Sequence, residues 1–196
     1  MADKDLLKRG FKTKAEKLSV EFRTKMSIHP CAPLCAFKLA EHLNIPIYSA
    51  SEFLSLPNEV DKLSEEDFGW SALTMMTRAN NRIIIHTTSH SQARQQSNIM
   101  HELAHIICEH KHSQSKYDFE IPLGMREFDE VQEAEAICLG STLQIARPGL
   151  QWALKRDYTV EQIANHFNSS VEMAAYRLRI SGVAKQQTYR KKMMTY

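Results

Sequence analysis

Two histidines and a glutamate stand at the spacing of a zinc-peptidase motif. Residues His101–His105 read HELAH. On an α-helix, residues four apart lie on the same face, so both imidazoles could bind one Zn²⁺ at roughly 2.0–2.1 Å. Glu102 lies roughly 100° around the helix from His101, which places its carboxylate beside the metal. There it could act as the catalytic base that takes a proton from the attacking water.

A catalytic zinc requires a third protein ligand, and a downstream acidic cluster supplies candidates. They are Glu127, Asp129, Glu130, Glu133 and Glu135. Acidic residues in the first turn complement the helix dipole, which accounts for the first three. We predict Glu133 as the ligand, because Gly140 lies nearly two turns further along the same face. Without a side chain there, the helix could press against the histidine helix and bring the Glu133 carboxylate to the metal.

The cysteines do not indicate a second metal site. Cys31 and Cys35 lie near His29, but no second close pair completes a zinc-binding set. Four cysteines in 196 residues are also too few and too scattered for a disulfide scaffold. Reduced thiols fit better, and they favour a cytosolic protein.

Composition indicates a globular chain with a balanced charge. Of its 196 residues, 43% are hydrophobic, and 25 basic against 23 acidic residues give a net charge of +2. Such a balance argues against direct nucleic-acid binding. The N-terminus lacks the apolar core of a signal peptide, and no apolar run approaches the roughly 20 residues of a membrane span. We therefore expect a cytoplasmic protein without a membrane partner.

The elements that position the motif are mostly helices. Apolar residues recur at helical spacing over 5–27, 35–43, 89–110 and 129–146. Ser89 or Ser91 could cap the helix that carries the motif, and Arg147–Gly149 is expected to end the last of these helices. A polar stretch over 111–128 is typical of a loop.

A β-hairpin is predicted before the motif helix. The strands are expected over 70–77 and 82–87, because Asn80 and Asn81 tolerate the positive φ of a tight turn. Ile83–Ile85 is β-branched throughout, which predicts a strand buried on both sides. Together these elements predict an α+β fold: a mostly helical, zincin-like metallopeptidase domain with a small, mainly antiparallel sheet.

The C-terminal part resembles a helix-turn-helix. Thr159 is placed to cap a helix over 160–167, and a turn at 168–170 leads to a second helix over 171–179. We predict a metallopeptidase domain over 1–147 and a helical segment with a basic tail over 148–196.

This second pattern suggests an alternative function, a DNA-binding transcriptional regulator whose zinc site is structural or inactive. Tyr176, Arg177 and Arg179 would then contact DNA. Glu161 and Glu172 on the same helices, with the low net charge, argue against tight phosphate contact.

With these patterns in place, the chain resembles the ImmA/IrrE family of metallo-endopeptidases. The order and spacing of several segments carry the resemblance. They are Arg9–Lys17, Ala32–Pro46, Arg82–His86 with Arg94, His101–His105 and Glu133–Leu143. The resemblance implies a zinc ligand at Glu133. It also implies a regulatory protease that cleaves a cognate helix-turn-helix repressor, in the control of mobile elements, phage or stress responses.

Three positions depart from the family pattern. Ile137 stands where an Asn is usual, His86 stands where an Asn is common, and the usual closing proline is displaced to Pro148. Since Ile137 accepts no hydrogen bond, some other acceptor must orient His101 or His105.

We expect different positions and roles for the remaining histidines and Tyr176. His86, His90 and Tyr176 are candidates for substrate contact or oxyanion stabilisation. His110 and His112 are expected in the solvated loop, and His42 and His166 on helix surfaces. One Zn²⁺ per chain is expected, although Mn²⁺ or Fe²⁺ could occupy such a site.

Overall fold

The computed structural model describes residues 6–53, 71–77, 79, 81–110 and 129–193. The predicted loop over 111–128, with Glu127 and His112, lies outside the described residues, as do Trp70 and Asn80 of the predicted hairpin. The described elements in chain order are α1 (Phe11–Lys25), α2 (Ala36–His42), β1 (Ile47–Ser49), α3 (Ala50–Phe53), β2 (Ala72–Met76), β3 (Arg82–His86), α4 (Gln92–Ile107), α5 (Glu130–Gln144), α6 (Arg147–Leu154), α7 (Val160–Phe167), α8 (Val171–Ser181) and α9 (Val183–Met193).

The architecture is mostly helical with one small sheet, which confirms the α+β class. The strand order is β1-β3-β2. β2 pairs with β3 in the predicted antiparallel hairpin, with Thr74 opposite Ile84. β1 runs parallel to β3, with Ile47 opposite Ile84. The sheet is therefore mixed rather than mainly antiparallel, because a distant strand completes it.

β3 is buried on both faces, as its β-branched sequence predicts. Ile84 belongs to the main apolar core, which also includes Leu103 of α4 and Leu139 of α5. Ile83 and Ile85 point to the opposite face and pack with other residues there. The alternation follows from the two-residue period of a strand. It places Thr74, opposite Ile84, on the α4 side of the sheet.

The two helices of the motif region begin with side-chain caps. Ser91 accepts a hydrogen bond from the backbone N–H of Arg94 and caps α4. Asp129 accepts from the backbone N–H groups of Val131 and Gln132 and caps α5. Both caps satisfy donors that the first helical turn leaves without partners. α4 and α5 then pack against each other within the main core.

Two predicted helix ends need correction. α1 begins at Phe11 rather than near residue 5, because Gly10 has a left-handed φ of 89°. Pro148 does not close α5, which ends at Gln144 when Ile145 becomes extended. Pro148 instead lies in the first turn of α6. A proline is tolerated there because its missing N–H would have no helical acceptor.

The C-terminal helices lie where the sequence predicts them. Thr159 and Gln162 form a capping box at α7, and Asn168 ends that helix with a left-handed φ of 48°. A second apolar cluster includes Ile145, Ile163 and Phe167. The likeness of α7 and α8 to a DNA-binding module stays a prediction. No helix among the described residues is long and apolar enough to span a bilayer.

Two buried arginines hold the C-terminal end of α5. Arg23 of α1 donates to the carbonyl oxygens of Leu143 at 2.7 Å and Gln144 at 3.2 Å. Arg177 of α8 donates to the carbonyl oxygen of Ile145 at 2.9 Å and pairs with Glu16. These carbonyls have no partner within their own helix, and cations there complement the helix dipole. Burial, with repulsion from Arg177, lowers the pKa of Arg23 to about 10.

Candidate metal centre

Three potential ligand atoms converge between α4 and α5. Nε2 of His101 lies 3.2 Å from Oε2 of Glu133, and Nε2 of His105 lies 3.4 Å from Oε1 of Glu133. The two imidazole Nε2 atoms are 3.1 Å apart. Within the described residues, this trio forms a set of donors whose ligand atoms all lie within 4.8 Å of one another. The structure therefore brings together the three residues that the sequence proposes as ligands.

The distances in this trio suit a shared metal ion. With metal–ligand bonds of roughly 2.0–2.1 Å, neighbouring ligand atoms of a tetrahedron are separated by about 3.3 Å. The separation of 3.1 Å between the two Nε2 atoms is close to that value, and each Nε2 atom has a different oxygen of the Glu133 carboxylate within 3.4 Å. Two imidazoles and one carboxylate also match the donor set of catalytic zinc, which leaves a fourth position for water or substrate.

The Glu133 carboxylate is held in its charged form. Burial by itself would raise its pKa, but hydrogen bonds from His101 and His105 outweigh burial and lower the pKa well below the ordinary value. A charged carboxylate is the form that binds a divalent cation. The electrostatics of the site therefore favour a cation at this position.

Gly140 sets the close approach of α5 to α4. A Cβ atom there would lie 3.2 Å from the carbonyl oxygen of Met100 and 3.3 Å from Cα of His101. Both neighbours are backbone atoms of the motif helix, so a side chain would push the helices apart. This is the contact that the sequence predicted from the glycine two turns beyond Glu133.

Glu102 lies beside the trio, on the sheet side of α4. Glu102 is only 7% exposed, and Oγ1 of Thr74 donates a hydrogen bond to its Oε2 at 2.6 Å. A buried carboxylate requires such a partner, since an unpaired one is costly. Sequence reasoning did not identify Thr74, although the two-residue alternation of the hairpin places it facing the motif helix.

Removal of the Thr74 hydroxyl tests this contact. We expect Thr74→Val to lower the free energy of unfolding by about 1–3 kcal/mol, because it keeps the side-chain shape but leaves Glu102 without this donor. Thr74→Ser retains the hydroxyl and is expected to stay much closer to the wild type. Urea denaturation followed by circular dichroism measures the difference. A loss of stability in Thr74→Ser, with wild-type stability in Thr74→Val, would show that packing of the methyl group, rather than the hydrogen bond, matters.

His110 does not lie in a solvated loop, and that expectation is wrong. Its side chain is 7% exposed, and its Nδ1 lies 2.9 Å from Nδ1 of His105. On its other side, Nε2 lies 3.1 Å from Oε2 of Glu135. Burial is the main reason that the pKa of His110 is lowered.

The end of α4 explains the position of His110. Glu109 has a left-handed φ of 56°, and the backbone N–H of His110 donates to the carbonyl oxygen of His105 at 3.1 Å. This is the hydrogen-bond pattern of a Schellman motif, which folds the chain back over the last helical turn. The sequence feature that could have indicated this contact is a histidine five residues after His105.

An open pocket of about 620 Å³ adjoins the trio. Its lining includes His101, Asn98, Ile137, Met173, Tyr176 and Arg179. The pocket lies between α4, α5 and α8, so the C-terminal segment forms one of its walls. A cleft of this size beside a metal trio is suited to part of a bound substrate.

The three candidates for substrate contact occupy different surroundings. Tyr176 lines the pocket beside His101. His86 packs edge-on against Phe37, with ring centroids 5.7 Å apart. The carbonyl of His90 accepts a hydrogen bond from the side chain of Gln95 at 2.7 Å. Of these candidates, Tyr176 is the one that the structure places in the pocket wall.

Comparison with known families agrees with this geometry. The model of the Peptidase_M78 family, described as the IrrE N-terminal-like domain, matches residues 60–179, which is more than half of the chain. The match covers the hairpin, the HELAH helix, α5 and most of α8. The protein therefore belongs to the ImmA/IrrE family of metallopeptidases. No curated protein matches the chain.

Proposed function

We propose that this protein is a zinc-dependent endopeptidase in which His101, His105 and Glu133 bind the metal and Glu102 is the catalytic base. The observation that carries the proposal is the convergence of the side chains of His101, His105 and Glu133, whose nitrogen and oxygen atoms lie 3.1–3.4 Å apart. Of the metals considered, the donor set of two imidazoles and one carboxylate favours zinc. Mn²⁺ and Fe²⁺ remain alternatives that a metal analysis distinguishes.

The residues of the site have separate roles in peptide hydrolysis. When bound, zinc would supply Lewis acidity, which polarises a scissile carbonyl and lowers the pKa of water. Glu102 accepts the proton of the attacking water and donates it to the leaving amine. Thr74 holds the Glu102 carboxylate on the sheet side of the helix through its 2.6 Å hydrogen bond. Tyr176, from the pocket wall, contacts the substrate or its developing oxyanion.

The substrate that we propose is a helix-turn-helix repressor, cut at one site. Support for this substrate comes from the family to which the chain belongs. The open pocket between α4 and α8 gives room for a protein segment next to His101. On this basis the protein is a regulatory protease of a mobile element, phage or stress response.

Metal removal tests the proposed activity directly. The purified protein is mixed with helix-turn-helix repressors from the same genome, and cleavage is followed on a gel. We expect a chelator to abolish cleavage and Zn²⁺ to restore it, because the bound metal would polarise the scissile carbonyl. Parallel additions of Mn²⁺ and Fe²⁺ identify the active metal. If metal analysis shows that the site is empty and cleavage still occurs, the proposal is contradicted.

The side chains suggested for DNA contact argue against the alternative function. The Arg177 residue is 1% exposed and is bound to Ile145 and Glu16, so it cannot reach a phosphate. The guanidinium carbon of Arg179 lies over the Tyr176 ring, 5.2 Å from its centroid. We therefore expect no shift of random duplex DNA at low salt in a mobility assay. Salt-sensitive binding that Arg179→Ala abolishes would revive the alternative.

Two broader assignments remain part of the proposal. We place a domain boundary near residue 147, and the separate apolar cluster from Ile145 to Val183 supports a C-terminal unit.

We also place the protein in the cytoplasm, because all four cysteines are free thiols. Burial raises the pKa of Cys108 and that of Cys138 to about 11, which keeps both thiols protonated and unreactive.

A further inference from the structure

We propose that His110 and Glu135 form a hydrogen-bonded relay that positions His105 as a metal ligand. The inference rests on the proposed metal site, and it assigns two residues outside the ligand trio. Both are positioning residues, since they act through His105 and touch neither metal nor substrate. The chain of contacts runs from His105 to His110 and from His110 to Glu135.

The relay contacts the side of the His105 ring that faces away from the ligand trio. Nε2 of His105 faces His101 and Glu133, whereas Nδ1 lies 2.9 Å from Nδ1 of His110. The two rings are nearly perpendicular, with an interplanar angle of 74° and centroids 5.0 Å apart. Nε2 of His110 then lies 3.1 Å from Oε2 of Glu135.

Metal binding selects one arrangement of protons along this chain. If Nε2 of His105 presents its lone pair to a cation, its proton resides on Nδ1. That N–H donates to Nδ1 of His110, which must then be an acceptor. The proton of His110 consequently sits on Nε2 and donates to the Glu135 carboxylate. Every donor meets an acceptor, and both rings remain neutral.

The buried position of the relay strengthens its effect. The side chains of His110 and Glu135 are 7% and 10% exposed. Among the described residues, Glu135 also forms an ion pair with Lys8, whose Nζ is 3.9 Å from Oε1 and whose side chain is 77% exposed. That ion pair is therefore weakened by solvent. The Glu135 charge is directed mainly into the hydrogen bond from His110, and through it raises the basicity of the His105 ligand nitrogen.

The relay also supplies an acceptor that α5 does not offer. Ile137 contributes only an aliphatic side chain to the pocket wall. His105 instead receives its acceptor from the Schellman turn at the end of its own helix, where His110 N–H meets the His105 carbonyl. Glu135, two residues after Glu133 on a different face of α5, connects this turn to the helix that carries the proposed ligand. One helix thus contributes both a ligand and the support for another ligand.

Zinc affinity of position-110 variants tests the relay. We expect His110→Phe to weaken zinc binding by about 10- to 100-fold, the range found when residues that orient a ligand are removed. His110→Asn, which can still accept from Nδ1 of His105, should recover part of the loss. Glu135→Gln keeps the shape and an acceptor but removes the charge, so its loss should be smaller than that of His110→Phe. Competition with a chromophoric chelator measures each dissociation constant.

A matched control separates positioning from general packing. His166 also packs among aromatic rings, with its ring centroid 4.7 Å from that of Trp152 and 4.7 Å from that of Phe167. His166→Phe is expected to retain wild-type zinc affinity. Circular dichroism of the apo proteins establishes that each variant folds. In zinc-loaded wild type, imidazole ¹⁵N shifts should show His110 neutral with its proton on Nε2.

The outcomes distinguish this inference from the proposed function. If wild type binds zinc and His101→Ala abolishes binding, the metal site stands. Equal affinities for wild type, His110→Phe and Glu135→Gln would then overturn the relay alone, as would a proton on Nδ1 of His110. If wild type binds no zinc, both proposals fail. A variant that fails to fold is replaced in the comparison by Glu135→Gln and the NMR measurement.

Discussion

Replacing Glu102 by glutamine is expected to leave one zinc bound per chain and to slow repressor cleavage by about 100- to 10,000-fold. The slowing is the usual contribution of a general base. Glutamine has the shape of glutamate and can still accept the hydrogen bond that Thr74 donates at 2.6 Å, so the fold is retained. It cannot accept the proton of the attacking water. Metal analysis of the purified variant and a timed cleavage gel measure the two effects.

A conservative change at an exposed acidic residue provides the control for Glu102. Glu130, in the first turn of α5, is exposed, and Glu130→Gln is expected to cleave at the wild-type rate. If Glu102→Gln cleaves as fast as this control, another residue is the base. If Glu102→Gln loses its zinc, the carboxylate supports the site rather than the reaction.

Replacing Glu133 by alanine should weaken zinc binding by more than the roughly 100-fold expected of a supporting residue. The change removes one of the three proposed protein ligands and leaves the Nε2 atoms of His101 and His105, 3.1 Å apart, without the carboxylate that contacts both. Chelator competition, calibrated with wild type, measures the loss. Cleavage activity should fall in parallel, because the reaction depends on the bound metal.

Glu130→Ala is the matched comparison for the third ligand. It lies on the same helix three residues earlier, and its loss should leave zinc affinity unchanged. The opposite result, with zinc retained in Glu133→Ala and lost in Glu130→Ala, would show that α5 presents a different carboxylate to the metal. Zinc retained at wild-type affinity in both would place the third ligand outside α5.

Local patterns predict the elements that carry the candidate site. The helices of the motif region follow from apolar spacing and, for α4, from the predicted cap at Ser91. Asp129, expected in the first turn of α5, is its cap instead. The convergence of Glu133 with the histidines follows from Gly140, whose missing side chain admits the backbone of His101. In each case the signal lies within one or two helical turns. Such local arguments are the ones that a single sequence supports best.

Features that depend on distant partners were not predictable in this way. The helix predicted over 89–110 ends at Ile107 in the structure, so its period does not place His110, whose position depends on the left-handed φ of Glu109. Arginine is usually exposed at the protein surface, so local sequence does not predict that Arg177 is buried. Its burial depends on two distant partners, the carbonyl oxygen of Ile145 and the carboxylate of Glu16. The parallel pairing of Ile47 with Ile84 likewise joins segments far apart in sequence.

The arginine contacts at the far end of α5 connect the helix that carries Glu133 to α1 and α8. Ile145, whose carbonyl oxygen accepts from Arg177, follows Gln144, the last residue of α5, which is eleven residues beyond Glu133, about 16.5 Å along a helix at 1.5 Å per residue. Arg23 reaches the same end from the N-terminal side. A deletion of α8 would therefore remove one of the contacts that fix the end of the helix carrying Glu133, the proposed third ligand. We expect that a partner that displaced either arginine from these carbonyls would change the position of Glu133.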